Sequence, residues 1–201
     1  MLSAHGLTCE RGLRRLFSQL DFSLKEGQWL HVRGGNGSGK TSLLRILSGL
    51  TMPVEGEIRW EGVPVKQAGE AFRQNLLFLG HHAALKEELT ALENLKICAY
   101  LDGQSLTDQG VLLALHRMGL RGREDLPVRF LSAGQKRRVL LTRLLTRQSK
   151  LWVLDEPFNA LDVKAVDLLL ELIREHLDKG GMAIITSHQE LSMPSGKVLQ
   201  L

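Results

Sequence analysis

Residues 34–41 of the chain, GGNGSGKT, decide how the rest of the sequence is interpreted. They fit the pattern G-x-x-x-x-G-K-[ST], in which a glycine-rich loop curls so that successive backbone N–H groups point at phosphate oxygens. A strand is predicted before the loop, around Trp29–Arg33, and a helix after it, from Lys40 to an end at Gly49. The apolar residues of that helix are spaced to share one face: Leu43, Leu44 and Leu47. A glycine-rich turn with a chance Lys-Thr is the alternative, and both flanks favour a phosphate loop.

A phosphate loop of this kind predicts a bound nucleoside triphosphate. Lys40 supplies a positive charge to the outer phosphates, Thr41 supplies a hydroxyl for Mg²⁺, and the helix N-terminus adds a favourable dipole. The predicted nucleotide contacts within the loop are Gly34, Gly35, Asn36, Gly37, Ser38, Gly39, Lys40 and Thr41.

An acidic pair follows a second apolar run. The four residues 151–154 predict a buried strand, which places Asp155 and Glu156 at its carboxyl end. Ligands of open α/β sheets bind at these strand ends. Asp155 is therefore a predicted Mg²⁺ ligand through its water shell, and Glu156 a predicted catalytic group that orients or deprotonates the attacking water. An acidic pair that only closes a strand is the alternative, and the upstream phosphate loop disfavours it.

Short apolar and alternating segments predict a β-rich opening over residues 1–33, and another strand pair is predicted around Glu57–Trp60 and Leu76–Leu79. After residue 90 the pattern is helical for some forty residues, and Thr90 with Glu93 forms a capping box. The remaining predicted elements are a helix over 163–179, a strand over 182–186 and a last strand near 197–201. Exposed connections are predicted at 62–69 and 119–128. Strands that alternate with helices predict an α/β core with a parallel sheet.

Composition bounds the class of protein. With 201 residues, 43% of them apolar and 24% charged, the chain is typical of one globular domain. No apolar run approaches the roughly 20 residues that cross a bilayer, and the first fifteen residues lack the apolar core of a secretion signal, so a place in the cytosol or on its membrane face is expected. The net charge of +4 favours no class of partner, and Cys9 and Cys98 lack the spacing of a zinc, redox or haem-attachment site.

The stretch LSAGQ at 131–135 begins a predicted helix. Ser132 and Gln135 form a capping box, so the first N–H groups of that helix are free to meet an anion. Taken alone, this pattern predicts only a helix start. The order of motifs adds to it: a phosphate loop, a helical insert, LSAGQ, an apolar strand ending in DEP, ALD at 160–162, and His188 after a strand.

This order resembles the ATP-binding-cassette family over essentially the whole chain. The resemblance implies an α/β P-loop ATPase with a mixed β-sheet core lobe, an N-terminal antiparallel β subdomain and a small α-helical subdomain. It implies one ATP-binding domain over 1–201, with a core lobe of about 1–80 and 135–201 and a helical subdomain of about 86–134. Ala133 replaces a glycine of the usual LSGGQ, which is a mild change unless its φ is positive.

The resemblance also implies the cofactors ATP and Mg²⁺ and a head-to-tail dimer of two copies. In that dimer the LSAGQ helix of one copy faces the γ-phosphate held by the other, through Ser132, Gly134 and Gln135. Asp162 is then expected to help couple the two sites. The residues it implies as catalytic are Lys40, Glu156 and His188, with Thr41 and Asp155 at the metal. For His188 the alternative is an ordinary surface histidine.

Two features depart from the family pattern. Near CERG at 9–12 many cassettes place an aromatic residue that stacks on adenine, whereas this chain has Glu10 and Arg11. Arg11 offers a guanidinium plane for stacking instead. Most cassettes have a glutamine that binds Mg²⁺ and water and links the cassette to its membrane partner. This chain has His81 in that place, which suits a contact with the membrane partner better than Mg²⁺ binding. Metal or haem binding by His81 and His82 is a further alternative.

The stretches GHHAALKEELTALENL and LSAGQKRRVLLTRL, with the missing aromatic and the short length, resemble the ATPase subunits of the bacterial cytochrome c maturation exporter, or haem exporter. That resemblance implies a peripheral protein on the cytoplasmic face of the inner membrane, a CcmB-like integral membrane subunit as partner, and ATP turnover that serves haem export or delivery. No nucleic-acid partner is expected. The alternatives are a soluble cassette ATPase acting on nucleic acid or ribosomes, and a nucleotide sensor without turnover.

Overall fold

The structure is a computed structural model that describes residues 1–81, 84–191 and 193–201. The chain divides into two compact units. The first comprises Met1–Gly80, Ser149–Glu156 and Arg174–Leu201, and the second comprises His81–Gln148 and Pro157–Ile173. The predicted division into a core lobe of about 1–80 and 135–201 and a helical subdomain of about 86–134 stays a prediction.

The first unit contains an antiparallel sheet of strand order β2-β1-β4-β5. Its strands are β1 (Leu2–Arg11), β2 (Arg14–Leu24), β4 (Glu55–Trp60) and β5 (Val63–Pro64). The central strand β1 pairs Leu2 with Leu24 on one side and with Trp60 on the other, and all three side chains are buried. The β-rich opening predicted from the sequence is therefore confirmed.

The same unit contains a parallel sheet of order β6-β7-β8-β3-β9. Its strands are β6 (Leu76–Leu79), β7 (Leu151–Leu154), β8 (Met182–Thr186), β3 (Trp29–Arg33) and β9 (Gly196–Gln200). Strands β7 and β8 are buried at every residue, as strands covered on both faces must be. Because all five strands run the same way, β3, β7 and β8 end at one edge of the sheet. The phosphate loop follows β3, Asp155 follows β7, and Thr186 is the last residue of β8.

One hydrophobic cluster joins both sheets to helix α1 (Lys40–Leu47). Its most buried members include Leu2, Leu7, Leu24, Val32, Leu43, Leu44, Leu47, Val153 and Ile184. The predicted end of α1 is confirmed, since Ser48 caps the helix and Gly49 follows with a φ of 69°. A left-handed residue after the cap is a common way to stop a helix, and glycine adopts it without strain. The position of α1 against the core holds the phosphate loop at the end of β3.

Two predictions about residues 55–79 are wrong. The strands near Glu57–Trp60 and Leu76–Leu79 both form, but they lie in different sheets and do not pair with each other. The predicted exposed connection at 62–69 instead contains β5 and the start of helix α2 (Val65–Gln74). Gly69, with a φ of 50°, kinks this helix and hides its periodicity in the sequence. The helix forms because Phe72 is buried against Trp60, with the ring centroids 5.6 Å apart.

The second unit is helical. Its elements are α3 (Ala91–Leu101), α4 (Asp108–Arg117), a 3₁₀ turn (Val128–Phe130), α5 (Ala133–Leu141) and α6 (Arg143–Thr146), and α7 (Val163–Asp178) begins in it. The capping box predicted at the start of α3 is present, with Thr90 accepting from the Glu93 N–H and the Glu93 carboxylate accepting from the Thr90 N–H. At the far end of α3, Asp102 forms ion pairs with Arg143 and Arg147, which tie this helix to α6 and its end.

No helix within residues 1–81, 84–191 and 193–201 is long and apolar enough to cross a membrane.

Candidate nucleotide-binding and hydrolysis site

The phosphate loop runs from the end of β3 into α1, and two of its positions leave no room for a side chain. Gly34 has a φ of 156°, and a Cβ there would come within 2.4 Å of the Ser38 Oγ. Gly39 has a φ of 109°, and a Cβ there would press on the Leu16 side chain at 3.1 Å. The Ser38 N–H donates to the Gly35 carbonyl at 3.2 Å and closes the turn. The sequence therefore forms a tight turn at the position where the motif predicts a phosphate loop.

Two polar groups of this loop fit a phosphate ligand. The Ser38 Oγ is buried and has no hydrogen-bond partner among the described residues. A buried hydroxyl without a partner is costly, and a phosphate oxygen would satisfy it. The Lys40 ammonium donates to the carbonyls of Gly34 at 2.7 Å and Gly35 at 3.2 Å, so the cation is held over the loop. A buried hydroxyl without a partner among the described residues and a cation bound to neutral carbonyls are suited to a polyphosphate.

The predicted metal residues meet directly. The Thr41 Oγ1, in the first turn of α1, donates to the Asp155 Oδ2 at 2.9 Å. Asp155 is 2% exposed, and its N–H donates to the Leu79 carbonyl, so the end of β7 is bonded to the end of β6. A hydroxyl and a carboxylate oxygen are hard donors of the kind that Mg²⁺ prefers. The two oxygens therefore fit a magnesium ion at the edge of the loop.

Glu156 lies beside this pair in an unusual backbone conformation. Its φ is 48°, which is disfavoured for a residue with a Cβ and is found mainly where the surroundings hold it. The Glu156 N–H donates to the Thr186 Oγ1 at 2.8 Å, and the same hydroxyl donates to the Asp155 Oδ1 at 2.8 Å. Thr186, the fully buried last residue of β8, was not predicted as a site residue. The parallel register of β7 and β8, which pairs Leu154 with Ile185, is the feature that brings it next to Asp155.

His188 lies close to the Glu156 carboxylate. Its Nε2 lies 3.5 Å from the Glu156 Oε1, and its side chain is 59% exposed whereas that of Glu156 is 11% exposed. A nearly buried carboxylate beside an exposed imidazole at a strand end can exchange a proton or hold a water. The structure therefore brings together in the first unit the phosphate loop, Thr41, Asp155, Glu156 and His188, as the sequence predicts.

A buried histidine, His31, which the sequence did not predict as functional, holds the backbone before His188. The Arg33 Nε donates to the His31 Nδ1 at 3.1 Å. Because a guanidinium can only donate, the Nδ1 accepts, and the Nε2 carries the proton that is donated to the Ser187 carbonyl at 3.2 Å. Burial lowers the pKa of His31, which keeps this neutral tautomer in place. His31 thus fixes the carbonyl immediately ahead of His188.

The LSAGQ residues belong to the second unit, where the predicted capping box is present. The Gln135 N–H donates to the Ser132 Oγ at 3.2 Å, and the Gln135 Oε1 accepts from the Ser132 N–H at 2.9 Å. Ala133 is the first residue of α5 and has no positive φ, so no glycine is needed there. Gly134 is different, because a Cβ would come within 2.7 Å of the Ala160 carbonyl oxygen.

Asp162, expected to couple two sites, is bound within the same unit. Its Oδ2 accepts from Arg138 on α5, and its Oδ1 accepts from the Ala165 N–H at 2.9 Å in the first turn of α7. These contacts fix ALD to α5, and a role between two copies stays a prediction. His81 and Arg11 are both exposed, and His82 lies outside the described residues, so the predictions for these three positions stay untested.

Taken together, a phosphate loop, an oxygen pair for Mg²⁺ and a carboxylate at the neighbouring strand end define a P-loop nucleoside triphosphatase. The sequence pattern of the ABC transporter family matches residues 17–159. The chain is 53% identical over its full length to the cytochrome c biogenesis ATP-binding export protein CcmA of Dechloromonas aromatica (strain RCB), of which it covers 98%. The chain therefore belongs to the ABC transporter ATP-binding family and, within it, to the group of cytochrome c biogenesis ATP-binding export proteins.

Solved structures agree with this assignment. One described as an ABC transporter ATP-binding protein from Pyrococcus furiosus is 28% identical, with a TM-score of 0.85 over 98% of this chain and 96% of that one. Another, the dimeric cassette MJ0796 in a post-hydrolysis state bound to ADP and Pi, is 23% identical with a TM-score of 0.83 over 94% of this chain and 88% of that one, and shows a shared fold. The family and the α/β P-loop fold predicted from the sequence are confirmed.

Proposed function

We propose that the chain is the ATP-hydrolysing subunit of an export complex for cytochrome c biogenesis, in which Glu156 activates the attacking water. The observation that carries this proposal is the placement of Glu156 between its neighbour Asp155, which is bonded to Thr41, and His188 at 3.5 Å. A metal-side carboxylate and a second, separately held carboxylate at one strand end are what in-line phosphoryl transfer to water needs.

Each polar group then has a role. The Lys40 ammonium exchanges the carbonyls of Gly34 and Gly35 for phosphate oxygens, and the Ser38 hydroxyl gains the partner that it lacks among the described residues. Thr41 and Asp155 would hold Mg²⁺, which when bound neutralises charge on the phosphates. The Glu156 carboxylate accepts a hydrogen bond from the attacking water, and the imidazole of His188 supports that carboxylate.

The proposed working form is a head-to-tail dimer. The start of α5, framed by Ser132, Gly134 and Gln135, belongs to the second unit, and the positive end of a helix dipole favours an anion. If a second copy presents this helix start to the γ-phosphate held by the loop of the first, a two-fold axis makes two complete sites from two incomplete ones. The dimeric state of the solved cassette with this fold supports the proposal.

The proposed partner is a separate, CcmB-like integral membrane subunit, with this chain on the cytoplasmic face of the inner membrane. The name of the relatives describes ATP-binding proteins of an export process, which supports a complex in which one subunit binds ATP and another spans the membrane. Closure of the dimer on ATP and its reopening after hydrolysis would supply motion to that subunit, because a ligand with different affinity for two states shifts the balance between them. The proposed function of the complex is haem export or delivery, and this part of the proposal rests on the family resemblance.

Glu156→Gln tests the proposal. The variant should bind ATP like the parent, lose nearly all turnover, and form a stable dimer in saturating ATP and Mg²⁺, measured by phosphate release and by size-exclusion chromatography with light scattering. Glu57→Gln, which removes an exposed carboxylate of β4 paired with Arg59, is the matched control and should behave like the parent. A Glu156→Gln protein that hydrolyses ATP at the parental rate, or stays monomeric in saturating ATP, contradicts the proposal.

A further inference from the structure

The hydroxyl of Thr186 joins the two carboxylate residues of the site. It accepts from the Glu156 N–H and donates to the Asp155 Oδ1, each at 2.8 Å. The direction of both bonds is settled by chemistry, since a backbone N–H can only donate and the hydroxyl has one hydrogen to give. Thr186 is 0% exposed, so water does not compete for these bonds.

The first bond acts on the backbone of Glu156. A residue with a Cβ avoids the left-handed region, and Glu156 sits there with a φ of 48°. The N–H bond to Thr186 anchors the peptide plane that precedes this residue, and the direction of the Glu156 side chain follows from that anchor. Without it, relaxation toward an ordinary φ would swing the carboxylate away from its position 3.5 Å from His188.

The second bond acts on the carboxylate plane of Asp155. Its Oδ2 accepts from Thr41 at 2.9 Å while its Oδ1 accepts from Thr186 at 2.8 Å, so one threonine holds each oxygen. A carboxylate that is bonded at both oxygens has little freedom to rotate about its χ2. The oxygen that faces the phosphate loop is thereby presented in a fixed direction.

We propose that Thr186 is a positioning residue for hydrolysis, whose single hydroxyl sets the backbone of Glu156 and the carboxylate plane of Asp155 at once. The inference rests on the proposed roles of Glu156 and Asp155. It predicts a loss of turnover and of Mg²⁺ affinity when the hydroxyl is removed, with nucleotide binding by the phosphate loop retained, because the Lys40 ammonium is held by carbonyls of the loop itself.

The test compares Thr186→Val, which keeps the β-branched shape, with Thr186→Ser, which keeps the hydroxyl. In Thr186→Val we expect kcat for ATP hydrolysis to fall about tenfold or more, since a lost buried hydrogen bond and an unsatisfied N–H act on the reacting carboxylate. The KM for ATP should change less than about twofold, because the loop is intact. The Mg²⁺ concentration for half-maximal binding of methylanthraniloyl-ATP should rise several-fold, whereas binding of the same probe in EDTA should not change. Thr186→Ser should restore both kcat and the Mg²⁺ response.

Thr142→Val is the matched control, because Thr142 is also 0% exposed but donates its hydroxyl to a backbone carbonyl, that of Arg138, instead of a carboxylate. It should reproduce the general cost of replacing a buried threonine without the shift in Mg²⁺ response. If Thr186→Val does not fold, Thr186→Cys fills a similar volume with a weak donor and acceptor, and it should show the same lowered kcat and weakened Mg²⁺ response.

The outcomes separate this inference from the proposed function. Normal turnover by Glu156→Gln would remove the proposed function, and the role of Thr186 with it. An inactive Glu156→Gln together with a Thr186→Val, or a folded Thr186→Cys, that keeps the parental kcat and Mg²⁺ response would overturn the inference alone. A further check adds Thr186→Val to Glu156→Gln at saturating Mg²⁺. The double variant should have nearly the same residual kcat as Glu156→Gln alone, and a further tenfold loss of kcat would count against action through Glu156.

Discussion

The stack of His176 on Trp152 predicts an acid-sensitive core. The two rings are parallel within 4° with centroids 3.8 Å apart, and the His176 Nε2 lies 3.2 Å from the Met182 carbonyl oxygen. Burial lowers the pKa of His176 from its ordinary 6.5 to about 4. Trp152 is in β7, the strand that ends immediately before Asp155, so charging this histidine acts on the strand that precedes the acidic pair.

The sign and size follow from linkage. Because the folded state holds His176 neutral while the unfolded chain takes up a proton near its ordinary pKa, stability is unaffected above about pH 7 and falls as the pH drops from there toward about 4. The full difference of about 2.5 pKa units corresponds to about 3 kcal/mol, and at pH 5 about 2 kcal/mol of it has been lost.

The assay is urea unfolding followed by tryptophan fluorescence at pH 7.5 and pH 5.0, on the parent chain and on His176→Phe, which keeps an aromatic ring on Trp152 without a titrating group. The parent should lose about 2 kcal/mol more than the variant between the two pH values. His5→Phe makes the same substitution at an exposed histidine and should keep the pH dependence of the parent. Equal pH dependence in the parent and His176→Phe would refute the reasoning.

Two further predictions concern the phosphate loop and the start of α5. Lys40→Ala should lose most of its ATP affinity, measured by equilibrium binding of methylanthraniloyl-ATP, because the ammonium is the one side-chain cation of the loop; unchanged affinity would exclude the loop as the phosphate site. Gly134→Ala should lower the thermal midpoint and abolish turnover, since its Cβ would come within 2.7 Å of the Ala160 oxygen. Ala133→Gly, an ordinary helix substitution, should lower the free energy of unfolding by no more than about 1 kcal/mol. A larger effect of Ala133→Gly than of Gly134→Ala would contradict the packing described for α5.

Local patterns predicted the parts of the site that depend on neighbouring residues. The phosphate loop needs only glycines, Lys40 and Thr41 in order, and the capping box at Ser132 needs only Gln135 three places on. Asp155 and Glu156 were placed by the apolar run before them. These sequence signals lie within a few residues of the groups that they position. They can therefore be recognised without knowing how the rest of the chain folds.

Contacts between distant strands were not predictable in the same way. Thr186 meets Asp155 only because β7 and β8 are parallel neighbours in a given register, and His31 meets Ser187 only because β3 pairs with β8. No local pattern marks either residue. The kinked helix α2 was missed for a different reason, since Gly69 interrupts the helical period and only burial of Phe72 shows that a helix is stabilised there.

The central claim is that each hydrolytic site is completed by a second copy. Mixing two inactive variants, Lys40→Ala and Ser132→Arg, tests it most directly by phosphate release. In a head-to-tail dimer each mixed pair has one site with an intact loop and an intact LSAGQ start, so activity should rise to about a quarter of the parental value in an equal mixture. A mixture no more active than the sum of the two variants alone would contradict the claim.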